Sequence, residues 1–149
     1  MREILFRGKR VDNGEWVYGY YFSEIEFGDN GGVEHMYRET ATQLHYIIAM
    51  EGGADMVFAE TVSQYTGLDD INGKKIFEGD ILEWIDYKLT VKYGEFYHTN
   101  EECECETEEE KMYGFYVETS YRGVYRGDAI IGDYITEWYE IIGNIHTRR

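Results

Sequence analysis

The chain has no proline, only two cysteines and no apolar stretch of the roughly 18 residues that a membrane-spanning helix needs. Without proline, its turns must be built by Gly, Asn and Asp, and the 17 glycines are the available material. The two thiols sit in Cys103-Glu-Cys105. On a strand their Cα atoms would be about 6.6–7 Å apart, at or past the limit for a disulfide, so reduced thiols in a cytoplasm are expected. At the N-terminus only Ile4-Leu-Phe6 is continuously apolar, so a signal peptide is not expected there.

Positive charge is also scarce. Fourteen Lys and Arg face 30 Asp and Glu, for a net charge of −16. Nucleic-acid affinity comes from Lys and Arg displacing counterions, so this balance disfavours direct binding to DNA or RNA. Arg2, Arg7, Lys9 and Arg10 make a small basic cluster against Glu3 alone, but the field of the whole protein opposes phosphate approach.

What is present is β-forming material. Aromatics are 17% of the chain, with 15 tyrosines, and hydrophobic residues are 43%, the composition of a globular protein. At 149 residues one domain over 1–149 is expected, needing no metal, cofactor or disulfide for stability. Ile4–Phe6 and Trp16–Phe22 flank Asp12-Asn13-Gly14, the signature of a hairpin. Ser23–Glu39 is acidic and glycine-bearing, and an irregular loop is expected near 23–40. Gln43–Met50, Met56–Phe58, Lys74–Phe77, Ile81–Ile85, Leu89–Tyr93, Tyr113–Thr119, Ile130-Ile131 and Trp138–Ile142 read as strands. Thr61–Leu68 reads as a helical turn or bend, and the spacing of Ile135, Trp138, Tyr139 and Ile142 leaves a short helix as the second reading there. An acidic loop is expected near 98–112. Many short strands between turn signals point to an all-β barrel or sandwich with at most one or two short helices.

One internal echo stands out. Ile76-Phe-Glu-Gly-Asp-Ile81 and Val124-Tyr-Arg-Gly-Asp-Ala-Ile130 share an aromatic residue, a charged residue, Gly-Asp and then apolar residues. Gly in such a step permits the backbone to bend and Asp caps the bend.

Three blocks resemble the YopX family, small proteins carried by bacteriophages and prophages. They are Arg2–Gly19, Val57–Ile81 and Tyr139–Ile145, about a third of the chain in the expected order. The central block, Thr61-Val-Ser-Gln-Tyr-Thr-Gly-Leu-Asp-Asp-Ile-Asn-Gly-Lys-Lys-Ile-Phe-Glu-Gly-Asp-Ile81, is the most specific. The resemblance implies an SH3-like small barrel with additional hairpins and a phage or prophage origin, and it supplies no catalytic residues. Ala59 stands where these proteins often have Pro, and the glutamate-rich run lies outside the shared blocks.

The remaining motifs are weighed against plain structural readings. Asp69-Asp-Ile-Asn-Gly73 lacks the spacing of a calcium loop, since Leu68 and Glu78 fall out of phase, and reads as a turn. Cys103, Cys105 and His98 do not reach the C-x₂₋₄-C spacing of structural zinc, so no metal site is expected. Seven glutamates in Glu101–Glu110 read as a solvated hairpin tip, with mimicry of nucleic-acid phosphates as the sharper reading. His35, His45, His98 and His146 accompany no catalytic motif, so no enzyme is expected, and an unrecognised site is the alternative. Gln64, Tyr65, Thr66, Asp69 and Asp70 are the candidate binding residues, against the reading that Tyr65 packs inward and Thr66-Gly67 turns the chain. The expected function is a non-enzymatic protein-interaction module in a bacterial cytoplasm. Its partner is a protein, and self-association is a further expectation. The alternative is an acidic nucleic-acid mimic that blocks a host DNA-binding protein.

Overall fold

The computed structural model describes residues 3–27, 41–49, 51–99 and 109–146. Two compact units divide the chain, Ile4–Gln64 and Tyr65–Arg149, the latter joined by Met1–Glu3. Both are built from antiparallel strands, as the all-β reading requires.

In the first unit, β1 (Phe6–Lys9), β2 (Trp16–Phe27), β3 (Ala41–Ala49), β4 (Ala54–Met56) and the start of β5 (Ser63–Asp69) form a sheet in the order β4-β3-β2-β1-β5. The turn between β1 and β2 is local chemistry. Arg10 and Glu15 close it with a 2.9 Å backbone bond, and the Asn13 side chain accepts from the Glu15 N–H at 2.9 Å. This turn sets the register Phe6↔Gly19 to Lys9↔Trp16, so the first strand runs Phe6–Lys9 and not Ile4–Phe6. In that register Arg7 and Lys9 lie over the Trp16 ring, 4.4 and 5.3 Å from its centroid. β2 continues through Ser23–Phe27, paired against β3, where an irregular loop was expected. Its acidic residues are tolerated because this end of the strand is exposed on both faces, Ser23, Glu24, Ile25 and Glu26 alike. The rest of that loop lies outside the described residues. Glycine at position 19 is required by contact: a Cβ there would lie 1.9 Å from the Ile48 carbonyl oxygen.

The Thr61–Leu68 segment is also corrected. A single 3-10 turn, Ala59–Thr61, leads directly into β5. Polarity suggested a bend, yet Ser63, Tyr65 and Thr66 are buried, their polar groups hydrogen-bonded inside the strand environment.

In the second unit, β5 pairs with β6 (Lys75–Phe77), and a five-stranded sheet follows. Its strands are β7 (Asp80–Trp84), β8 (Tyr87–Thr99), β9 (Glu109–Tyr121), β10 (Val124–Ile130) and β11 (Glu140–Asn144), in the order β10-β9-β8-β7-β11. The helix α1 (Asp133–Trp138) precedes β11, so the strand expected from Trp138 starts two residues later and the short helix is real. Ile135 and Tyr139 turn inward from it onto Ile76, Leu82, Leu89, Val91 and Val117, the core of this unit.

No closed barrel forms among the described residues, which corrects the SH3-like expectation. The core face of the sheet is covered by α1 together with Ile76 of β6 and Leu68 of β5. Both edges, β10 and β11, carry bulges (between Tyr125 and Gly127, and between Ile141 and Gly143), which add local twist and blunt edge pairing. β8 extends to Thr99 and β9 starts at Glu109, so the ends of the expected acidic loop are paired strand.

Candidate functional site

The expected binding residues do not form one exposed patch. Gln64 is half-buried and pairs with Phe6 in the first unit. In the second, Tyr65 is buried: its hydroxyl donates to Asp69 Oδ1 at 2.6 Å, and its ring packs 5.6 Å from Phe77 with Lys75 Nζ 4.6 Å from its centroid. Burial, then the Asp69 hydrogen bond, push the Tyr65 phenol well above its ordinary pKa. The Thr66 hydroxyl donates to the Ile76 carbonyl at 2.8 Å and accepts from the Leu68 N–H at 3.1 Å.

Asp70, 2% exposed, organises the turn that follows. Its Oδ1 accepts from the Asn72 and Lys74 N–H groups, each at 2.9 Å, and its Oδ2 from the Ile141 N–H at 3.0 Å. Both carboxylate oxygens are therefore committed to the fold, which supports the turn reading of Asp69–Gly73 over a calcium loop. The Gly-Asp echo has a related logic. Asp80 is buried and accepts from the Phe77 N–H at 2.8 Å, while Gly79 takes φ +89° between β6 and β7. Gly127 takes φ +112° at the β10 bulge, where Asp128 accepts from the exposed Tyr125 hydroxyl at 2.7 Å. The same Gly-Asp step thus makes a corner in the first case and a bulge in the second.

A different surface carries a row of rings, of which Tyr87 and Trp138 are exposed and Trp84 and Tyr121 half-buried. Trp84 pairs across the sheet with Tyr87, and Tyr87 with Tyr121, so the three sit on the face that also carries Leu82, Leu89 and Val117. The ring centroids are 6.1 Å apart for Trp84–Tyr87 and 4.8 Å for Tyr87–Tyr121. At the end of α1, Trp138 lies 5.4 Å from Trp84, three residues after the inward Ile135, and remains 52% exposed. The Arg122 and Arg126 guanidiniums lie 5.3 and 5.9 Å from the Tyr121 ring. The row is therefore Trp138, Trp84, Tyr87, Tyr121, closed at one end by arginine.

Two tight turns hold this row. Ile85-Asp86 joins β7 to β8 and Arg122-Gly123 joins β9 to β10. They are linked to each other: the Arg122 N–H donates to the Asp86 carbonyl at 3.0 Å, and Arg122 Nε to Asp86 Oδ2 at 3.2 Å. Trp, Tyr and Arg on an ordered frame are the residue types that dominate protein-binding energetics.

Sequence reasoning missed this row. Tyr121 before Arg122-Gly123 was a readable hairpin signal, but Ile85-Asp86 contains no glycine or asparagine to mark a turn. Trp138 reaches the row only through the packing of α1.

A cleft of about 210 Å³ in the first unit is lined by Arg10, Val11, Asp12, Asp55 and Met56. Arg10 is ion-paired to both Asp12 at 2.9 Å and Asp55 at 3.5 Å, so its one positive charge is shared between two carboxylates. Among the described residues no cluster of His, Cys, Asp and Glu is placed to hold a metal ion. Cys103, Cys105 and most of the Glu101–Glu110 run lie outside the described residues. No helix among those described is long and apolar enough to cross a membrane.

These features define an all-β protein of two antiparallel-sheet units, with a buried acidic turn hub and an aromatic row on a helix-covered sheet. The YopX protein family matches residues 5–148, nearly the whole chain, and the chain belongs to that family. No curated protein and no solved structure matches it. The three blocks that carried the resemblance fall on the β1–β2 hairpin, the segment holding the Asp70 turn, and β11.

Proposed function

We propose that the protein is a non-enzymatic protein-interaction module, phage- or prophage-encoded and acting in the cytoplasm of a bacterial host. Its contact surface is the row Trp138, Trp84, Tyr87 and Tyr121. The observation that carries this reading is the 52% exposure of Trp138, an indole left at the surface beside Trp84 although α1 has core positions to fill. Ordered aromatic rings of this kind supply large contact area at low entropic cost on binding. Family membership is consistent with the phage setting.

The test is capture of partners from host lysate with the wild-type chain and with Trp138→Ala and Tyr87→Ala. Both positions are exposed, so the variants should keep their fold by circular dichroism while losing the principal partner. Unchanged capture by both variants overturns the assignment of the surface. A second reading, the acidic mimic, is favoured by the net charge of −16 and the seven glutamates of Glu101–Glu110. Deleting that run separates the two: binding through the row persists, whereas mimicry is lost together with its salt sensitivity.

A further inference from the structure

Beyond the body of the five-stranded sheet, β8 and β9 run on as a ribbon of two. β7 and the Gly79 corner before it reach β8 only as far as Val91, whose carbonyl accepts from the Gly79 N–H at 2.8 Å. On the other side β10 reaches β9 only as far as Tyr116. From there to Thr99 and Glu109 the two strands pair with each other alone among the described residues. A two-stranded ribbon is marginal in water, and an open strand edge is a template for a further strand. The β10 and β11 edges carry bulges, but the β8–β9 register runs without a shift from Tyr87↔Tyr121 to Thr99↔Glu109.

Alternation fixes which residues offer their backbone to the open edge. The Val91 carbonyl points away from β9, so Val91↔Val117 is a pair whose members do not bond each other. The same holds at every second step, at Tyr93↔Phe115, Glu95↔Tyr113 and Tyr97↔Lys111. On β9 the N–H and C=O groups of Lys111 and Tyr113 therefore face outward, past the end of β10. Tyr113 is 75% exposed, the most of the large hydrophobic side chains described. Lysine commonly guards an open edge, but Lys111 Nζ leans back across the ribbon to Glu95 of β8 at 3.2 Å.

We infer that the protein forms a two-fold symmetric dimer through this edge of β9, the same segment of a second copy adding antiparallel to it about Met112. Lys111 of each copy stands opposite Tyr113 of the other, and these two residues supply four backbone hydrogen bonds. Glu110 meets Gly114, where a Cβ would find nothing within 4 Å, so its side chain has room. The occupant is a second copy because the segment complements itself in this register. A lysine stem packs on a tyrosine ring twice, and no like charges stand opposite one another. Shifting the axis to Lys111 sets lysine against lysine, and shifting it to Glu110 sets glutamate against glutamate. Shifting it to Tyr113 brings Glu110 against Tyr116, a position that Ile130 of β10 already fills. The two-fold arrangement closes, so assembly stops at two. This contact is separate from the aromatic row and stands without it.

The test is sedimentation equilibrium of the full chain from micromolar to millimolar concentration, at low and moderate salt. A single strand pair makes a small interface, so the expected dimer is a weak one. It should tighten as salt rises, because screening reduces the repulsion between two chains at −16. Tyr113→Pro removes an outward N–H that the ribbon itself does not use, and acts once on each side of the axis, so it should weaken the dimer about a hundredfold. Tyr113→Lys keeps every backbone group but sets two cations opposite one another, and should weaken the dimer as well. Tyr97→Pro makes the corresponding change on the β8 edge and should leave the dimer as in the wild type. Hydrogen exchange at the Met112 amide, which bonds within the ribbon, should stay slow in all three variants. A monomer throughout, assembly beyond two, a dimer loosened by salt, a dimer retained by either Tyr113 variant, or a dimer lost in Tyr97→Pro overturns the inference. A dimer lost in Trp138→Ala also overturns it, because self-association then runs through the aromatic row.

Discussion

The carboxylate of Asp70 accepts a 3.0 Å hydrogen bond from the backbone N–H of Ile141, 71 positions further along the chain. With its bonds to the Asn72 and Lys74 N–H groups, this one side chain joins the β5–β6 turn to the first residues of β11. Ile71 reinforces the junction by donating to the Tyr139 carbonyl at 2.9 Å. The most specific segment of the sequence therefore has a structural role on which the C-terminal strand depends.

Replacing Asp70 by Ala strands three N–H donors, and the expected loss is about 3 kcal/mol, given the cost of unsatisfied buried donors. Asp70→Asn keeps one acceptor oxygen and should lie between Ala and wild type. Urea denaturation followed by circular dichroism measures both, and equal stability of Asp70→Ala and wild type would remove Asp70 from the junction.

Gly19→Ala should destabilise the first unit by about 3 kcal/mol, at the upper end for an overpacked site. The added Cβ would stand 1.9 Å from the Ile48 oxygen and 2.7 Å from its carbonyl carbon, so the β2–β3 ladder must move. Hydrogen exchange of the β3 amides reports this directly, and unchanged protection there would contradict the close approach.

The two Gly-Asp steps should respond unequally. Gly79→Ala places a methyl group 3.3 Å from Ile145 at φ +89°, whereas Gly127→Ala at φ +112° meets nothing within 4 Å. Conformational strain alone costs about 1–2 kcal/mol at either site, and crowding adds to it only at Gly79. Thermal melts of the pair should place Gly79→Ala below Gly127→Ala.

Alkaline pH should unfold the protein through its tyrosines. Burial, then the neighbouring Tyr139, push Tyr134 up to about 12, and the Asp128 hydrogen bond, then burial, push Tyr125 up to about 12. Tyr65, Tyr116 and Tyr139 are raised as well, each first by burial. Between the unfolded value of about 10 and these folded values, the unfolded chain releases protons that the native state keeps. The stability present below pH 10 is therefore lost as pH rises through about 12. Melting temperature against pH, with tyrosinate absorbance in parallel, should show the fall, and Tyr134→Phe should reduce its slope.

The turn at Asp12-Asn13-Gly14 with the strand after it, β3, β6, β7 and the Leu89–Tyr93 core of β8 were legible because period-two alternation and turn residues are local signals. The hairpin turn at Ile85-Asp86 was not, since Ile85 takes φ +54° there without the glycine or asparagine that marks such a turn. Of the candidate site, Tyr65, Thr66, Asp69 and Asp70 were singled out as binding residues, and Tyr65, Thr66 and Asp70 are instead buried in the fold. Sequence could not show that their polar atoms face inward, because burial of a hydroxyl or carboxylate depends on which backbone donors and acceptors arrive from elsewhere.

From its residues alone, this chain is determined to be an acidic, all-β protein with the YopX blocks in order, since charge, β-branched and aromatic content and turn chemistry act over a few neighbouring positions. Tertiary structure alone decided that the sheets stay open, that α1 covers Leu82 and Val117, and that Trp138 meets Trp84. Those outcomes depend on which faces find each other across long stretches of chain, a competition among packings that no local pattern encodes.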